Sequence, residues 1–208
     1  MAEPRIIVFV KAPRPGFVKT RLAIVIGDEA ACKAYRQLTE TVLAKLASLP
    51  NVEIRFNPDD AKDEIKSWLR KDWGAKPQRE GDLGQRMHRA FKEADGAAII
   101  IGSDCPYLET SDLQAASDTL QTHDAVIGPA ADGGFWLIGL VRPPYPAIFE
   151  GVHWSTHTAL KETLANAELM NLSFQLLREL IDVDTVEEWK KWSGWRESNS
   201  RYQLGRLE

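Results

Sequence analysis

Residues 97–106 read Ala-Ala-Ile-Ile-Ile-Gly-Ser-Asp-Cys-Pro, and the architecture follows from them. Five consecutive apolar residues, three of them β-branched, predict a strand at Ala97–Ile101 buried on both faces. Gly102 ends the run, and Asp104 follows two residues later, a carboxylate at the mouth of a buried strand. Arg5–Val10 (RIIVFV) is a second run of this kind. Val52–Phe56, Ala125–Gly128, Phe135–Val141 and a short stretch near Ser173–Leu177 supply further strands. Helical spacing fills the gaps. Asp28 is placed to cap a helix from about Glu29 to Ser48, with Ala31, Tyr35, Leu38, Val42 and Leu46 on its apolar side. Asp59 or Asp60 opens a second helix carrying Ile65, Trp68 and Leu69, and Leu83–Ala94 follows Gly81-Asp82 as a third. Thr110 or Ser111 caps a helix to about Leu120, Ser155 or Thr156 caps one to about Met170, and a last helix follows Asp182-Val183-Asp184-Thr185. Buried strands alternating with amphipathic helices imply a three-layer α/β/α sandwich around a mostly parallel sheet. No repeat or linker composition interrupts the pattern, so one domain is expected over residues 1–208, with a polar tail from about Ser193.

Composition bounds the function. The chain has 208 residues, 44% hydrophobic and 27% charged, which is ordinary for a globular protein. Its 26 basic and 30 acidic side chains leave a formal charge of −4, which gives no global attraction to nucleic acid or to an anionic membrane. Runs such as Ala97–Ile101 and Phe135–Val141 fall far short of the roughly 20 apolar residues a membrane helix needs. The start, MAEPR, lacks the features of a secretory leader, and Cys32 and Cys105 are too few for a disulfide framework. A cytoplasmic location is expected.

Ligands of open α/β sheets bind beyond the carboxyl ends of the strands, and three loops at such ends carry unusual chemistry. The first is Lys11–Arg21 (KAPRPGFVKTR). No acidic residue lies between Glu3 and Asp28, yet Lys11, Arg14, Lys19 and Arg21 all fall in this loop. Gly16 permits close backbone approach to a ligand, and Lys19 and Arg21 suit phosphate oxygens. A solvated basic loop has the same composition; position directly after the first buried strand favours phosphate binding. Lys19-Thr20 follows Val18 rather than glycine, which rejects a P-loop, and one glycine is too few for a dinucleotide fingerprint. In the second loop, Gly102–Pro106, Asp104 is a hard oxygen donor of the kind that holds Mg²⁺ or Mn²⁺ beside substrate phosphates. A capping or loop-stapling aspartate is the alternative, and Cys105 reads as a small buried hydrophobe. In the third, Pro129–Gly134, Asp132 is the only charge between Asp124 and Arg142, and Gly133 and Gly134 follow it. Close approach to a ligand explains that pattern, and so does a tight hairpin turn.

Taken as a set, KAPRPGFVKTRL, GDLGQRM, GSDCP, ADGGFWLIGL, VHWST and DVDT, in this order from about Ile6 to Trp189, resemble a bacterial family of GT-A-type nucleotide-diphospho-sugar transferases. That family is often catalogued as a domain of unknown function (DUF2064). More distantly the chain is similar to the molybdenum-cofactor and phospholactate guanylyltransferases. The resemblance implies a GT-A fold, a nucleotide-binding α/β sandwich with a mixed sheet. It implies that Lys11, Ala12, Pro13 and Gly16 belong to the loop that wraps the nucleotide, with Lys19 and Arg21 as phosphate ligands. Gly81, Asp82, Leu83 and Gly84 resemble the segment lining the base and ribose pocket. Asp104, next to Ser103, takes the place of a metal-binding aspartate, although the motif S-D-C-P holds one carboxylate where D-x-D holds two. Asp132, Gly133 and Gly134 are implied to face the acceptor, and Asp182 and Asp184 resemble a late acidic pair that completes a metal site.

From the residues alone, Asp184 or Thr185 equally suits the cap of the last helix. His153 and His157 stand four apart, but Ser155-Thr156 between them reads as a cap, which argues against shared zinc ligation. The seven tryptophans read mainly as packing residues, with Trp136 and Trp154 close enough to the motifs to be pocket candidates. The expected activity is a Mg²⁺- or Mn²⁺-dependent transferase that moves a sugar from a nucleotide-diphospho-sugar to an unknown small-molecule acceptor. Lys19, Arg21, Asp104 and Asp132 are its catalytic candidates. The alternatives are a nucleotidylyltransferase that releases pyrophosphate from a nucleoside triphosphate, and a nucleotide-binding module without turnover. A nucleic-acid partner is disfavoured because the basic residues cluster in one loop.

Overall fold

Ile6, Val8 and Val10 of β1 (Arg5–Lys11) pack into one apolar layer, and Ile7 between them packs into another. This alternation divides the core in two around the sheet. The computed structural model describes residues 3–141 and 146–194. The expected tail from Ser193, with Trp195 and Tyr202, therefore lies almost entirely outside the described residues, as do Pro143 and Pro144. Seven strands run in the order β3-β2-β1-β4-β6-β5-β7. They are β1, β2 (Val52–Asn57), β3 (Gly74–Pro77), β4 (Ala98–Gly102), β5 (Ala125–Pro129), β6 (Phe135–Leu140) and β7 (Phe174–Leu176). All neighbours pair in parallel except β6, which runs antiparallel to both β4 and β5. The expected α/β sandwich with a mostly parallel, mixed sheet is what forms.

The helices are α1 (Thr20–Ile26), α2 (Asp28–Lys45), α3 (Leu83–Lys92), α4 (Thr110–Thr119), α5 (Ala159–Leu169) and α6, residues 186–194. Tyr35 and Val42 of α2 and Leu113 and Ala116 of α4 pack with Val8 on one face of the sheet. Met87 and Phe91 of α3 and Ala167 of α5 pack with Ile7 and Ile100 on the other. Fully burying an aliphatic side chain is worth about 1.5–3 kcal/mol, so these two layers dominate the stability.

Several expected elements differ. The segment after Asp59 forms turns and a single 3-10 turn at Lys66–Trp68 instead of a helix. Its backbone bonds run mostly three residues back (Ala61 to Pro58, Glu64 to Ala61, Trp68 to Ile65), and Ala61, Ile65 and Trp68 are already buried that way. Asp28 lies in the first turn of α2 with Gly27 as the cap residue. Helix α5 starts at Ala159, later than Ser155 or Thr156, because the Glu162 carboxylate accepts from the His153 backbone N–H (2.7 Å) and holds residues 153–158 as a loop over the helix start. Strand β3 and helix α1 were not expected. Among the described residues, no helix is long and apolar enough to cross a membrane.

Candidate functional site

Strands β1 and β4 end side by side, with Phe9 paired to Gly102, and β6 begins at the same edge because it runs the other way. The loop after β1, the loop after β4 and the β5–β6 turn therefore meet. Tyr35 ties the first two together from α2. Its hydroxyl accepts from the Lys11 backbone N–H (2.7 Å) and lies 3.1 Å from Ser103 Oγ. Burial first, and then the charge of Asp104, push its phenol up to about 12. Ser103 is itself buried, so it supports Asp104 from beneath.

Lys19 occupies the centre. Its Nζ lies 2.9 Å from Asp104 Oδ1 and 2.6 Å from Asp184 Oδ1, and its side chain is 3% exposed. The Asp184 contact is a directed hydrogen bond. The Asp104 contact is close but poorly directed, an ion pair more than a hydrogen bond, and among the described residues the buried Asp104 Oδ1 has no better-directed partner. Burial pulls the Lys19 pKa down, but the carboxylates of Asp104 and Asp184 outweigh it and hold the ammonium above its ordinary range.

Asp184 reaches this point because the strand-like segment before α6 is pinned across the loops. Val183 N–H donates to the Asp104 carbonyl (3.1 Å), and Leu180 N–H to that of Pro129 (3.0 Å). Thr185 caps α6 instead of Asp184. Its hydroxyl accepts from Glu188 N–H, and the Glu188 carboxylate accepts from Thr185 N–H, a capping box. Asp184 is thereby left to the cleft. Asp182, half-buried nearby, is pushed up to about 7, first by burial and then by the charge of Asp104.

A cleft of about 310 Å³ opens over these groups, lined by Lys11, Val18, Lys19, Thr20, Arg21, Tyr35, Asp104, Asp132, Ser155 and Asp184. Six of the residues expected from the sequence thus converge: Lys11, Lys19, Arg21, Asp104, Asp132 and Asp184. Val18, Thr20, Tyr35 and Ser155 are additions. Tyr35 had read only as a core position of its helix, and Ser155, at φ 62°, had read as a cap. A more open hollow of about 600 Å³ runs along the C-terminal half of α2, beside Gln37, Glu40, Lys45 and Trp192, but no group of like-purposed side chains converges on it.

The other expected residues stand around the cleft. Ala12 and Pro13 are buried in the loop base, where the Pro13 carbonyl accepts from the Cys32 thiol. Gly16, at φ 80°, turns the loop, and Arg14 clamps it outward to Glu64 and Asp60. Asp132 Oδ1 accepts from Gly134 N–H (2.9 Å), a local turn, while Asp132 also lines the cleft. Gly133, at φ 88°, leaves no room for a side chain against the His157 backbone carbonyl. Trp154 packs edge-on against Phe135 and tilted against Phe149, and a Cβ on Gly84 would come within 2.7 Å of its indole. Trp154 and Gly84 therefore form a packed joint beside the cleft. Asp82 caps α3 with Gln85 as a capping box, and Gly81 borders a separate hollow with Glu80, His88 and Arg89. That loop is joined to the cleft by Gln78, whose amide donates to the carbonyls of Val10 and Arg55. His153 pairs with Glu162, 3.0 Å away, and not with His157.

The donors fit a hard divalent ion. Asp104 and Asp184 converge on one point, and Asp104 presents a buried oxygen without a hydrogen bond. Among the described residues no group of three His, Cys, Asp or Glu side chains is arranged to hold an ion. Two carboxylates, with phosphate and water completing the shell, is the pattern of Mg²⁺ rather than of a closed structural site.

Comparison with known proteins bears on the fold and the family. A protein from Desulfovibrio desulfuricans G20, described as a candidate nucleotide-diphospho-sugar transferase, is 35% identical over 89% of this chain and 84% of its own, with a TM-score of 0.81. The fold is shared at lower identity with CMP:2-keto-3-deoxy-manno-octonic acid synthetase solved with CTP (11%, covering 95% of this chain and all of that one, TM-score 0.62). It is shared also with Rv0371c of Mycobacterium tuberculosis H37Rv solved with manganese (14%, 91% and 97%, TM-score 0.52). No curated protein matches the chain. A family profile described as "Uncharacterized protein conserved in bacteria (DUF2064)" matches residues 41–156, more than half of the sequence, and the chain belongs to that family.

Proposed function

We propose that the protein is a divalent-metal-assisted glycosyltransferase that takes a nucleotide-diphospho-sugar. The observation that carries this is the division of charge in one cleft. Cations from the first loop (Lys11, Lys19, Arg21) stand with Asp104 and Asp184, while Asp132 enters from the β5–β6 turn and makes no ion pair among the described residues. Lys11 and Arg21, exposed at the mouth, suit the diphosphate, and Arg21 offers a forked donor for bidentate contact. Asp104 and Asp184 would hold Mg²⁺ or Mn²⁺. Such an ion neutralises the diphosphate and polarises the bond to the leaving group. Asp132 accepts the proton of an acceptor hydroxyl as its oxygen bonds to the anomeric carbon; the bond from that carbon to the diphosphate breaks, and nucleoside diphosphate departs. The Desulfovibrio relative supports the sugar-nucleotide reading by its description.

Nucleotidyl transfer is the second reading, favoured by the fold shared with a CTP-bound synthetase. Asp132 favours a hydroxyl acceptor over a phosphate, which needs no base and would be repelled, and the description of the Desulfovibrio relative then favours sugar transfer. The two differ in product. Incubation with nucleotide-sugars and with nucleoside triphosphates, each with Mn²⁺, should release nucleoside diphosphate from one donor class, and Asp132→Asn should lower that rate by about 10²-fold or more. Pyrophosphate release, unaffected by Asp132→Asn, would establish the second reading instead.

A further inference from the structure

We propose that Lys19 is a resident cation in the metal position. Its ammonium holds Asp104 and Asp184 together until a divalent ion arriving with a phosphate group displaces it, so the site takes metal and phosphate jointly and not metal alone. This rests on the phosphate-binding reading of the cleft and adds an order of occupation to it.

The geometry sets up a competition. Nζ sits 2.9 and 2.6 Å from one oxygen of each carboxylate, so the two acids already converge on a single positive centre. A Mg²⁺ ion needs carboxylate oxygens at about 2.1 Å, and it cannot share the same pair of oxygens with an ammonium ion without strong like-charge repulsion. The contact is also replaceable. The Asp104 oxygen that faces Lys19 is buried and not in a well-directed hydrogen bond, but the two side chains are 41% and 38% exposed to the cleft through their remaining atoms, while Lys19 is buried behind them. An incoming ion thus meets the outer part of each carboxylate first.

The cost of displacement decides the coupling. The cleft is lined by three cations, Lys11, Lys19 and Arg21, and three carboxylates, Asp104, Asp132 and Asp184. Metal alone breaks that balance and turns the Lys19 ammonium out toward Lys11 and Arg21, where every charged residue of its own loop is cationic. A diphosphate supplies the missing partner for all three. Each ligand therefore removes the penalty of the other, which is positive coupling between two ligands at one site.

Direct Mn²⁺ binding tests this without turnover. Electron paramagnetic resonance titration of the full chain with Mn²⁺ should show weak binding by the wild type. Lys19→Met should bind about tenfold tighter or more, and Lys19→Met/Asp184→Asn should lose that gain. In parallel, a thermal-shift matrix of wild type with Mn²⁺ and inorganic pyrophosphate should show little stabilisation by Mn²⁺ alone. Together the two should stabilise by more than the sum of their separate shifts. Mn²⁺ binding unchanged or weaker in Lys19→Met, or purely additive shifts in the wild type, overturns the proposal while leaving the phosphate reading intact. Pyrophosphate without effect under any condition sinks both. Should Lys19→Met fail to fold, the wild-type matrix decides.

Discussion

Asp182 is the titratable group through which this site enters the stability of the protein. Its pKa in the folded chain is about 7, raised from an ordinary 3.8 by burial and then by Asp104. A raised folded-state pKa means that the fold prefers the protonated carboxyl. The associated stability is fully present below about pH 4 and is lost as pH climbs through about 7. Asp182→Asn keeps the shape and removes the charge. In chelator, it should raise Tm at pH 8 by roughly 5 °C, allowing for partial solvent screening, and change Tm little at pH 4. Equal effects at both pH values would show that Asp182 is not the strained group. Asp184, two residues on, shows how adjacency misleads a reading of single residues: Asp184 or Thr185 suited the cap, and Thr185 with Glu188 makes it, which leaves Asp184 to Lys19.

At the scale of elements, β2 carries a polar cluster inside an otherwise apolar strand. Arg55, 1% exposed, reaches Glu53 and Glu93, and Glu53 in turn meets Arg5 and Lys76. The cluster joins β2, β3 and the end of α3, and Gln78, beside it, ties β2 to the end of β1. Removing one partner of a buried pair leaves an uncompensated charge, so Arg55→Ala should destabilise the fold by about 3–5 kcal/mol in denaturant unfolding. A loss near zero would mean the cluster is solvated and holds nothing. The strong periodic elements were legible in the sequence: β1, β4, β6, α2 and α3 formed within a few residues of expectation. Helix α1 was not, because Thr20–Ile26 has only seven residues and its apolar pattern is split, with Leu22 buried and Ile24 and Val25 exposed. Strand β3 was not, because Gly74–Pro77 is a short edge strand with no β-branched or aromatic residue.

Across the whole molecule, the sheet converts distant sequence into one cleft. Each loop could be flagged locally, by its basic residues, by a carboxylate after a buried strand, or by an isolated Asp-Gly-Gly. Their convergence could not. Lys19 and Asp184 lie 165 positions apart; the β1–β4 pairing brings Asp104 to the lysine, and the pinning of residues 180–184 to Asp104 and Pro129 brings Asp184. The resemblance of the motif set to one family supplied in advance what periodicity had no means to give. If this cleft, with Asp104 and Asp184, holds a phosphate-bearing nucleotide through a divalent ion, calorimetric titration will show it. Nucleoside di- and triphosphates and nucleotide-sugars are titrated in Mn²⁺ and in chelator, into wild type and Asp184→Asn. At least one nucleotide should bind in Mn²⁺, lose that binding in chelator and bind about tenfold or more weakly to Asp184→Asn. Nucleotide binding indifferent to both the ion and Asp184, or no nucleotide binding at all, would contradict it.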